Sequence, residues 1–253
     1  MRYASAAPLV VLVLGVGAAT APSVVSQPSL VAPSPLVTEL RGFATRYHTN
    51  PARLDTLRDE LVRAVQTDSR VETRLALAEV SFIWGDVRAA TRDQKLAAYD
   101  QGREAARRAV ELEPKNTLAH LFFAINTARW GQTNGIVRSI TLLPTVKEEI
   151  RIMLELDPSR PTVYALAGNV YLEVPRLLGG DLERAESMFR KGLELDPRFT
   201  GNRVGLAKVL IKQGRTPEAR RELETVLAEP APTNPAEWTL KDAKDARALL
   251  ASL

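Results

Sequence analysis

The hydrophobic and polar positions of this chain follow a helical rather than a strand-like pattern. Alanine, leucine, arginine and glutamate fill most of the sequence, and all four residue types favour helix. No stretch of β-branched residues alternates with polar ones, as a half-buried strand would require. The pattern therefore predicts an all-α protein.

Three similar phrases define a repeat along the chain. Residues 109–114, 154–158 and 193–197 each run through glutamate and leucine to a final proline, and these prolines lie 44 and 39 residues apart. Each phrase should end a helix, because proline lacks a backbone donor and disfavours helix in the preceding residue. A period of this length is typical of stacked helical hairpins. The predicted fold is a right-handed α-solenoid of about four hairpins with further helices at its ends.

The repeat places the helices of the earlier hairpins. One hairpin comprises residues 72–83 with 101–112, and the next comprises residues 117–127 with 146–156. A preceding helix is predicted at residues 51–66, with the side chain of Asn50 as its N-cap.

Three hairpins carry predicted insertions between their two helices, at residues 84–93, 129–143 and 173–180. Insertions at one corner of each repeat should cluster on one face of the stack, which is often a binding face. Trp84 and Trp130 mark this candidate insertion face.

Three further local predictions concern single residues. Asp181 follows two glycines and is predicted to cap the helix after it. A last helix is predicted from Thr239, with a capping box that pairs Thr239 with Asp242. His120 lies in an apolar helical stretch and is expected to be packed or to face a groove.

The third hairpin combines small and large residues at fixed spacing. The residues concerned are Tyr164, Gly168, Tyr171, Ala185, Phe189, Gly192 and Pro197. Small residues where helices cross let the backbones approach, and large ones fill the gap between neighbouring hairpins. This spacing resembles the tetratricopeptide repeat (TPR), and the resemblance covers most of residues 70–230. It implies a stack of hairpins that binds a protein segment.

A second resemblance points to the T-component of TRAP-type periplasmic transporters. It rests on residues 177–181, Ala185, Phe189, Ala243, Ala246, Leu249 and Leu250. This resemblance implies an accessory role in periplasmic solute transport, with a hydrophobic ligand held by the protein.

The concave side of such a stack is the candidate binding groove, and the first helix of each hairpin lines it. The candidate groove residues are Val80, Ile83, Leu121, Phe122, Ile125, Arg129, Leu166, Asn169, Val204 and Lys208. Most of these side chains are apolar. The groove either receives an external segment or is filled by the chain's own helices, such as residues 35–46 or the final helix.

The N-terminal residues predict export. Arg2 precedes an apolar run from Leu9 to Val16 and then small residues, which is the pattern of a secretory signal peptide at residues 1–26. The run is shorter than the roughly 20 residues of a membrane span. Cleavage is predicted before Gln27, and no membrane span should remain after it. The alternative is that the signal peptide is not cleaved and stays as an N-terminal anchor. The predicted location is the periplasm or the extracellular space.

The remainder of the chain divides into three parts. Residues 27–35 form a Pro-rich linker, residues 36–229 form the helical repeat domain, and residues 230–253 form a second Pro-rich linker and a capping helix. The last helix should cover the apolar end of the stack.

Composition narrows the chemistry. The 253 residues include no cysteine and two histidines, which excludes disulfides, thiolate metal sites and cysteine nucleophiles, and makes multi-histidine metal sites unexpected. No phosphate-binding loop or nucleophile elbow occurs. The net charge of +4 is spread along the chain and does not indicate nucleic acid. The sequence predicts a non-enzymatic protein without cofactor or metal, whose partner is a protein or peptide or, alternatively, a hydrophobic small molecule.

Overall fold

The computed structural model describes residues 34–253, which contain helices and no strand. The helices are α1 (Pro35–Phe43), α2 (Arg53–Ala64), α3 (Val71–Val87), α4 (Arg92–Leu112), α5 (Thr117–Asn134), α6 (Ile136–Leu156), α7 (Pro161–Glu173), α8 (Leu182–Leu195), α9 (Thr200–Lys212), α10 (Thr216–Ala228), α11 (Pro235–Glu237) and α12 (Ala243–Ala251). None of these helices is both long and apolar enough to cross a bilayer. The predicted signal peptide and most of the first linker lie outside the described residues.

The helices pack as successive hairpins. α3 packs with α4, α5 with α6, α7 with α8, and α9 with α10, and each hairpin contacts the next. Short 3-10 turns follow α1 at Tyr47–Thr49 and α7 at Arg176–Leu178, and a π-helical turn, Trp238–Asp242, joins α11 to α12. The predicted stack of helical hairpins is confirmed.

Two of the three predicted insertions are in fact mostly helix. Most of residues 84–93 and almost all of residues 129–143 belong to helices α3 to α6, so the prediction of insertions there was wrong. The repeat spacing fixes the common part of each hairpin and does not limit how far its helices extend. Gly135 alone separates α5 from α6, with φ +121° and ψ 171°, a region that is essentially restricted to glycine. The connection at residues 174–181 is the longer one that was expected.

Close contacts between glycine and an aromatic ring bring the helices together. A Cβ atom added at Gly168 in α7 or at Gly205 in α9 would overlap the ring of Phe189 in α8, so this buried ring lies between two helices that approach closely. The same arrangement recurs in the first hairpin, where a Cβ atom at Gly85 would overlap the ring of Tyr99. Glycine at these positions is therefore required by packing.

Buried asparagines also occupy the space left by glycines. Asn126 in α5 fills the position where a Cβ atom of Gly102 would lie, and Asn202 in α9 does the same beside Gly192. Asn126 Nδ2 donates to the carbonyl of Ala78 at 3.2 Å, which links α5 to α3. Gly192, where the TPR pattern has a small alanine, thus makes room for an amide from the next hairpin.

The helix ends confirm one predicted cap and correct two. The Asp181 side chain accepts from the backbone amides of Glu183 and Arg184, both at 3.0 Å, as predicted. Asn50 does not cap α2, because a turn through residues 51 and 52 intervenes and α2 begins at Arg53 without a side-chain cap.

The final helix begins earlier than predicted. Asn234 accepts from the amides of Ala236 and Glu237, at 3.2 and 3.1 Å, and Pro235 occupies the first turn. An asparagine cap followed by proline is a strong start signal. Thr239 therefore lies inside the helical segment, and the predicted capping box does not form there.

Candidate interaction surface

The predicted groove residues lie on the four first helices α3, α5, α7 and α9, as expected from the repeat. Five of them are buried: Val80, Ile83, Leu121, Phe122 and Val204. The others are half-buried Ile125, Arg129, Leu166 and Lys208 and exposed Asn169. The buried members hold the hairpins together, which leaves the second group to face a partner.

Residues 235–251, from here on the C-terminal segment, pack against the helices that carry this face. The amide of Ala236 donates to the carbonyl of Thr45 at 3.0 Å, and Leu240 packs against the core that α1 and α3 share. Farther along the segment, Ala246 belongs to one buried cluster with Val204 of α9. The chain's own C-terminal helices therefore occupy the part of the face next to α3 and α9.

Polar contacts fix the C-terminal segment on α9. Thr200 Oγ1 donates to Asp242 Oδ2 at 2.7 Å in a buried hydrogen bond, and Lys208 Nζ lies 3.1 Å from Asp245 Oδ2. Burial raises the pKa of Asp242 above its ordinary value, and the hydrogen bond from Thr200 offsets part of that shift. Lys208, which the sequence assigns to the groove, thus binds the chain's own segment.

A cavity of 280 Å³ opens between α3 and the C-terminal segment. Its lining residues are Tyr47, Phe82, Ile83, Asp86, Val87, Glu237, Leu240, Lys241 and Lys244. Apolar side chains and charged groups of both signs line it together. Such a cavity fits one apolar side chain of a bound polypeptide with polar groups beside it.

Asp86, one of the charged groups at the cavity, is held in place from two other helices, α4 and α5. Asp86 accepts from the Tyr99 hydroxyl at 2.6 Å and from Arg129 Nη2 at 2.8 Å. Burial raises the pKa of Tyr99, so its hydroxyl remains a donor at neutral pH. Burial likewise raises the pKa of Glu237, while Lys241 one turn later opposes that shift.

The two tryptophans of the predicted insertion face lie in helices and contact neighbouring side chains. Trp84 Nε1 donates to Asp55 Oδ1 at 2.6 Å, and the guanidinium of Arg58 lies 4.5 Å from the ring centroid. Trp130 has the guanidinium of Arg103 at 4.8 Å from its ring centroid. Both rings are half-buried, and each contacts the preceding helix, α2 for Trp84 and α4 for Trp130.

His120 is packed, as expected. Its ring is buried, with Nδ1 2.5 Å from Glu149 Oε2 and Nε2 2.9 Å from the carbonyl of Pro114. The pair joins α5 to α6. Within residues 34–253, no group of acidic and histidine side chains is arranged to hold a metal ion.

The half of the cavity contributed by the C-terminal segment was missing from the sequence-based site. Glu237, Leu240, Lys241 and Lys244 belong to it. A local signal was present, because Ala236, Leu240 and Ala243 repeat at the spacing of one helix face. That spacing shows that the segment is amphipathic, but not which helices it packs against.

Comparison with known proteins identifies relatives of both parts of the chain. A family model described as "Regulator of microtubule dynamics protein 1-3" matches residues 44–177, and a tetratricopeptide-repeat model matches residues 176–243. Regulator of microtubule dynamics protein 3 from Mus musculus is 24% identical over 223 residues, which are 76% of this chain and 47% of that protein. The protein of the same name from Rattus norvegicus is 26% identical over 165 residues, which are 59% of this chain and 35% of that protein. The chain thus spans about half the length, or less, of these curated relatives.

A solved structure supports the fold. A thermophilic TPR protein from Thermus thermophilus superposes with a TM-score of 0.62 at 18% identity, and covers 85% of this chain and 97% of that one. The predicted resemblance to the tetratricopeptide repeat is therefore confirmed. None of these matched proteins is a transporter component.

Proposed function

The chain belongs to the regulator of microtubule dynamics protein 1-3 family, and on this premise we propose that it is a non-enzymatic scaffold that binds a partner protein. The binding surface in this proposal is the cavity between α3 and the C-terminal segment, together with the half-buried side chains of α5 and α7. The observation that carries the proposal is the combination of apolar and charged side chains around one cavity of a TPR stack.

The cavity edges suggest the chemistry of the bound segment. Lys241 and Lys244 are exposed, and neither has a carboxylate partner among the described residues. Asp86, in contrast, already contacts Arg129. A segment with an apolar residue next to acidic ones would place the apolar side chain against Phe82 and its carboxylates near the two lysines.

A charge reversal at the cavity edge tests this proposal. Peptides selected from a displayed random library on the purified chain should contain an apolar residue flanked by acidic ones. Lys244→Glu should weaken their binding by about tenfold, because it replaces attraction by repulsion. Lys115→Glu makes the same change at an exposed lysine on the α4–α5 connection and should leave binding unchanged. Equal binding by both variants would contradict the proposed surface.

A hydrophobic small molecule is less well supported as the ligand. Five of the ten predicted groove residues are buried between hairpins, and the C-terminal segment covers part of the remaining face. Two small cavities remain for such a ligand, of about 280 Å³ and about 240 Å³, and charged side chains line part of each.

The names of the two mammalian relatives suggest microtubules as a candidate partner. Since this chain matches 47% and 35% of those proteins, action on microtubules is a proposal for this chain and needs its own assay. Sedimentation of the purified chain with polymerised tubulin is that assay. The chain should appear in the pellet with microtubules and stay in the supernatant without them, and recovery in the supernatant in both cases would remove microtubules as the partner.

We further propose that residues 1–26 direct export. In a Gram-negative host the chain should be recovered from the periplasm with Gln27 as its first residue. Full-length chain in the cytosol would contradict export, and full-length chain in the membrane fraction would favour an uncleaved anchor. A periplasmic chain does not meet microtubules, so this fractionation also decides whether the sedimentation assay reflects the protein's natural setting.

A further inference from the structure

Large aliphatic side chains are exposed on two neighbouring hairpins, α5–α6 and α7–α8. At the start of α6, Ile136, Val137 and Ile140 are 72%, 73% and 40% exposed, and Leu177 in the α7–α8 connection is 99% exposed. Both groups stand at the turns within hairpins. An apolar patch on the surface of a protein often marks a contact with another protein or with a membrane.

The start of α6 projects beyond the neighbouring hairpin. Lys147 Nζ donates to the carbonyl of Leu178 at 3.2 Å, which places this lysine level with the α7–α8 connection. Ile136 precedes Lys147 by eleven residues, which is about 16 Å along a regular helix. Pro144 lies between them inside α6, where it removes one backbone hydrogen bond. α7 has 13 residues where α6 has 21, so no first helix of the next hairpin covers this part of α6.

The conformation of the α7–α8 connection leaves Leu177 exposed. Gly179 has φ +89°, and a Cβ atom at Gly180 would overlap the carbonyl oxygen of Val174. The amide of Gly180 donates to the carbonyl of Pro175 at 3.1 Å, and that of Asp181 to the carbonyl of Tyr171 at 2.9 Å. The two glycines and the two backbone hydrogen bonds fix the shape of this turn. Leu177 is therefore exposed to solvent and does not contribute to the core.

Cations without a carboxylate partner lie in the same two hairpins. The guanidinium of Arg138 lies 5.7 Å from the centroid of the Trp130 ring, and half-buried Lys147 donates to the carbonyl of Leu178. Arg138, Lys147 and Arg176 have no carboxylate partner among the described residues, and α6 carries no acidic residue before Glu148. Arg151, farther along the same helix, is paired with Glu148 at 2.6 Å. Positive charge at this end of the hairpins is therefore left without a counterpart in the described chain.

We propose that this surface docks on an anionic lipid bilayer. The docking tip consists of Ile136, Val137, Ile140 and Leu177 with Arg138, Lys147 and Arg176. The aliphatic side chains enter the boundary between headgroups and acyl chains, and the three cations contact lipid phosphates.

Single labels at the tip test this proposal. The chain has no cysteine, so Leu177→Cys and Val137→Cys in the full chain can each carry one environment-sensitive fluorophore. Vesicles of phosphatidylglycerol and phosphatidylcholine should shift the emission of both labels to shorter wavelength. Leu112→Cys is the control, since Leu112 is also exposed but lies at the C-terminal end of α4. Its label should not respond, even if residues 1–33 hold the chain on the vesicle.

Charge removal supplies the second measurement. Arg138→Gln and Arg176→Gln should each lower vesicle affinity about fivefold, the effect of roughly 1 kcal/mol per cation near an anionic surface, and added salt should do the same. Arg220→Gln, an exposed arginine on α10, is the matched control. The proposal is overturned if the tip labels do not respond to vesicles, which would favour a protein partner, or if the label at Leu112 responds equally. A shift without vesicles that grows with protein concentration would also overturn it, because a second copy of the chain would then cover the tip.

Discussion

Glycine residues decide how closely neighbouring helices approach in this protein. Phe189 is fully buried, and its ring occupies the space that a side chain would need at Gly168 or Gly205. Interiors are packed at close to crystal density, so such a ring cannot move aside without disturbing its other neighbours. The Phe189 ring therefore packs between the hairpins α7–α8 and α9–α10, in space that is open because residues 168 and 205 have no side chain.

Two substitutions in α9 test this contact. Gly205→Ala should lower the free energy of unfolding by about 1–3 kcal/mol, because the new methyl group overpacks the Phe189 ring. Gly201→Ala is the control in the same helix, where the nearest atom to an added Cβ is Asp242 Oδ2 at 3.8 Å. It should be neutral or stabilise by up to about 1 kcal/mol, since alanine favours helix over glycine. Urea unfolding of both variants measures the difference, and equal losses would contradict the packing.

The buried carboxyl of Asp242 makes stability depend on pH. Burial raises its pKa in the folded chain, so the folded state keeps a proton that the unfolded state loses above its ordinary pKa of 3.8. Stability contributed by this group therefore falls as the pH rises through that window. Asp242→Asn retains a polar partner for Thr200 and cannot ionise. The melting temperature of this variant, relative to that of the natural chain, should rise as the pH increases above 3.8. A difference that does not change with pH would contradict this.

Helix ends show what a local pattern predicts and where it fails. The capping role of Asp181 follows from its position after two glycines, and the contacts confirm it. Asn50 is also a residue type that caps helices, and it stands before Pro51. The chain nevertheless forms a turn there before α2 starts. Both residues satisfy the sequence rule, and only the turn geometry distinguishes them.

Alanine substitutions separate the two cases. Asp181→Ala should cost about 1 kcal/mol of unfolding free energy, because two amides at the start of α8 lose their acceptor. Asn50→Ala should cost less than about 0.5 kcal/mol, as expected for an exposed residue without such a role. Thermal unfolding followed by circular dichroism compares them. A loss at Asn50 as large as that at Asp181 would show that the Asn50 side chain stabilises the start of α2 after all.

The lengths of the hairpins were less predictable than their positions. The spacing of small and large residues locates α7 to α10 closely, because that spacing reflects contacts made in every repeat. Nothing in the repeat specifies that α5 and α6 continue past it to meet at Gly135. That extension depends on one backbone conformation at a single glycine, and it creates the projecting docking tip.

The interaction surface is partly a property of the whole molecule. The repeat assigned the contributions of α3, α5, α7 and α9 from sequence, because each follows from local periodicity. The C-terminal segment could not be assigned in this way, since its contact between Ala236 and Thr45 joins opposite ends of the described chain. Its amphipathic spacing is compatible with packing on any apolar face.

The position of the C-terminal segment is the claim on which the cavity and the proposed scaffold function depend. Spin labels at Ala90→Cys, just after α3, and at Lys244→Cys, on the segment, measure it directly by electron–electron resonance in the full chain. Both residues are exposed, and Lys244 lines the same cavity as the end of α3. The predicted result is a single narrow distribution at short distance. A broad distribution, or one centred at long distance, would show that the segment does not pack beside α3 in solution, and the cavity would not exist.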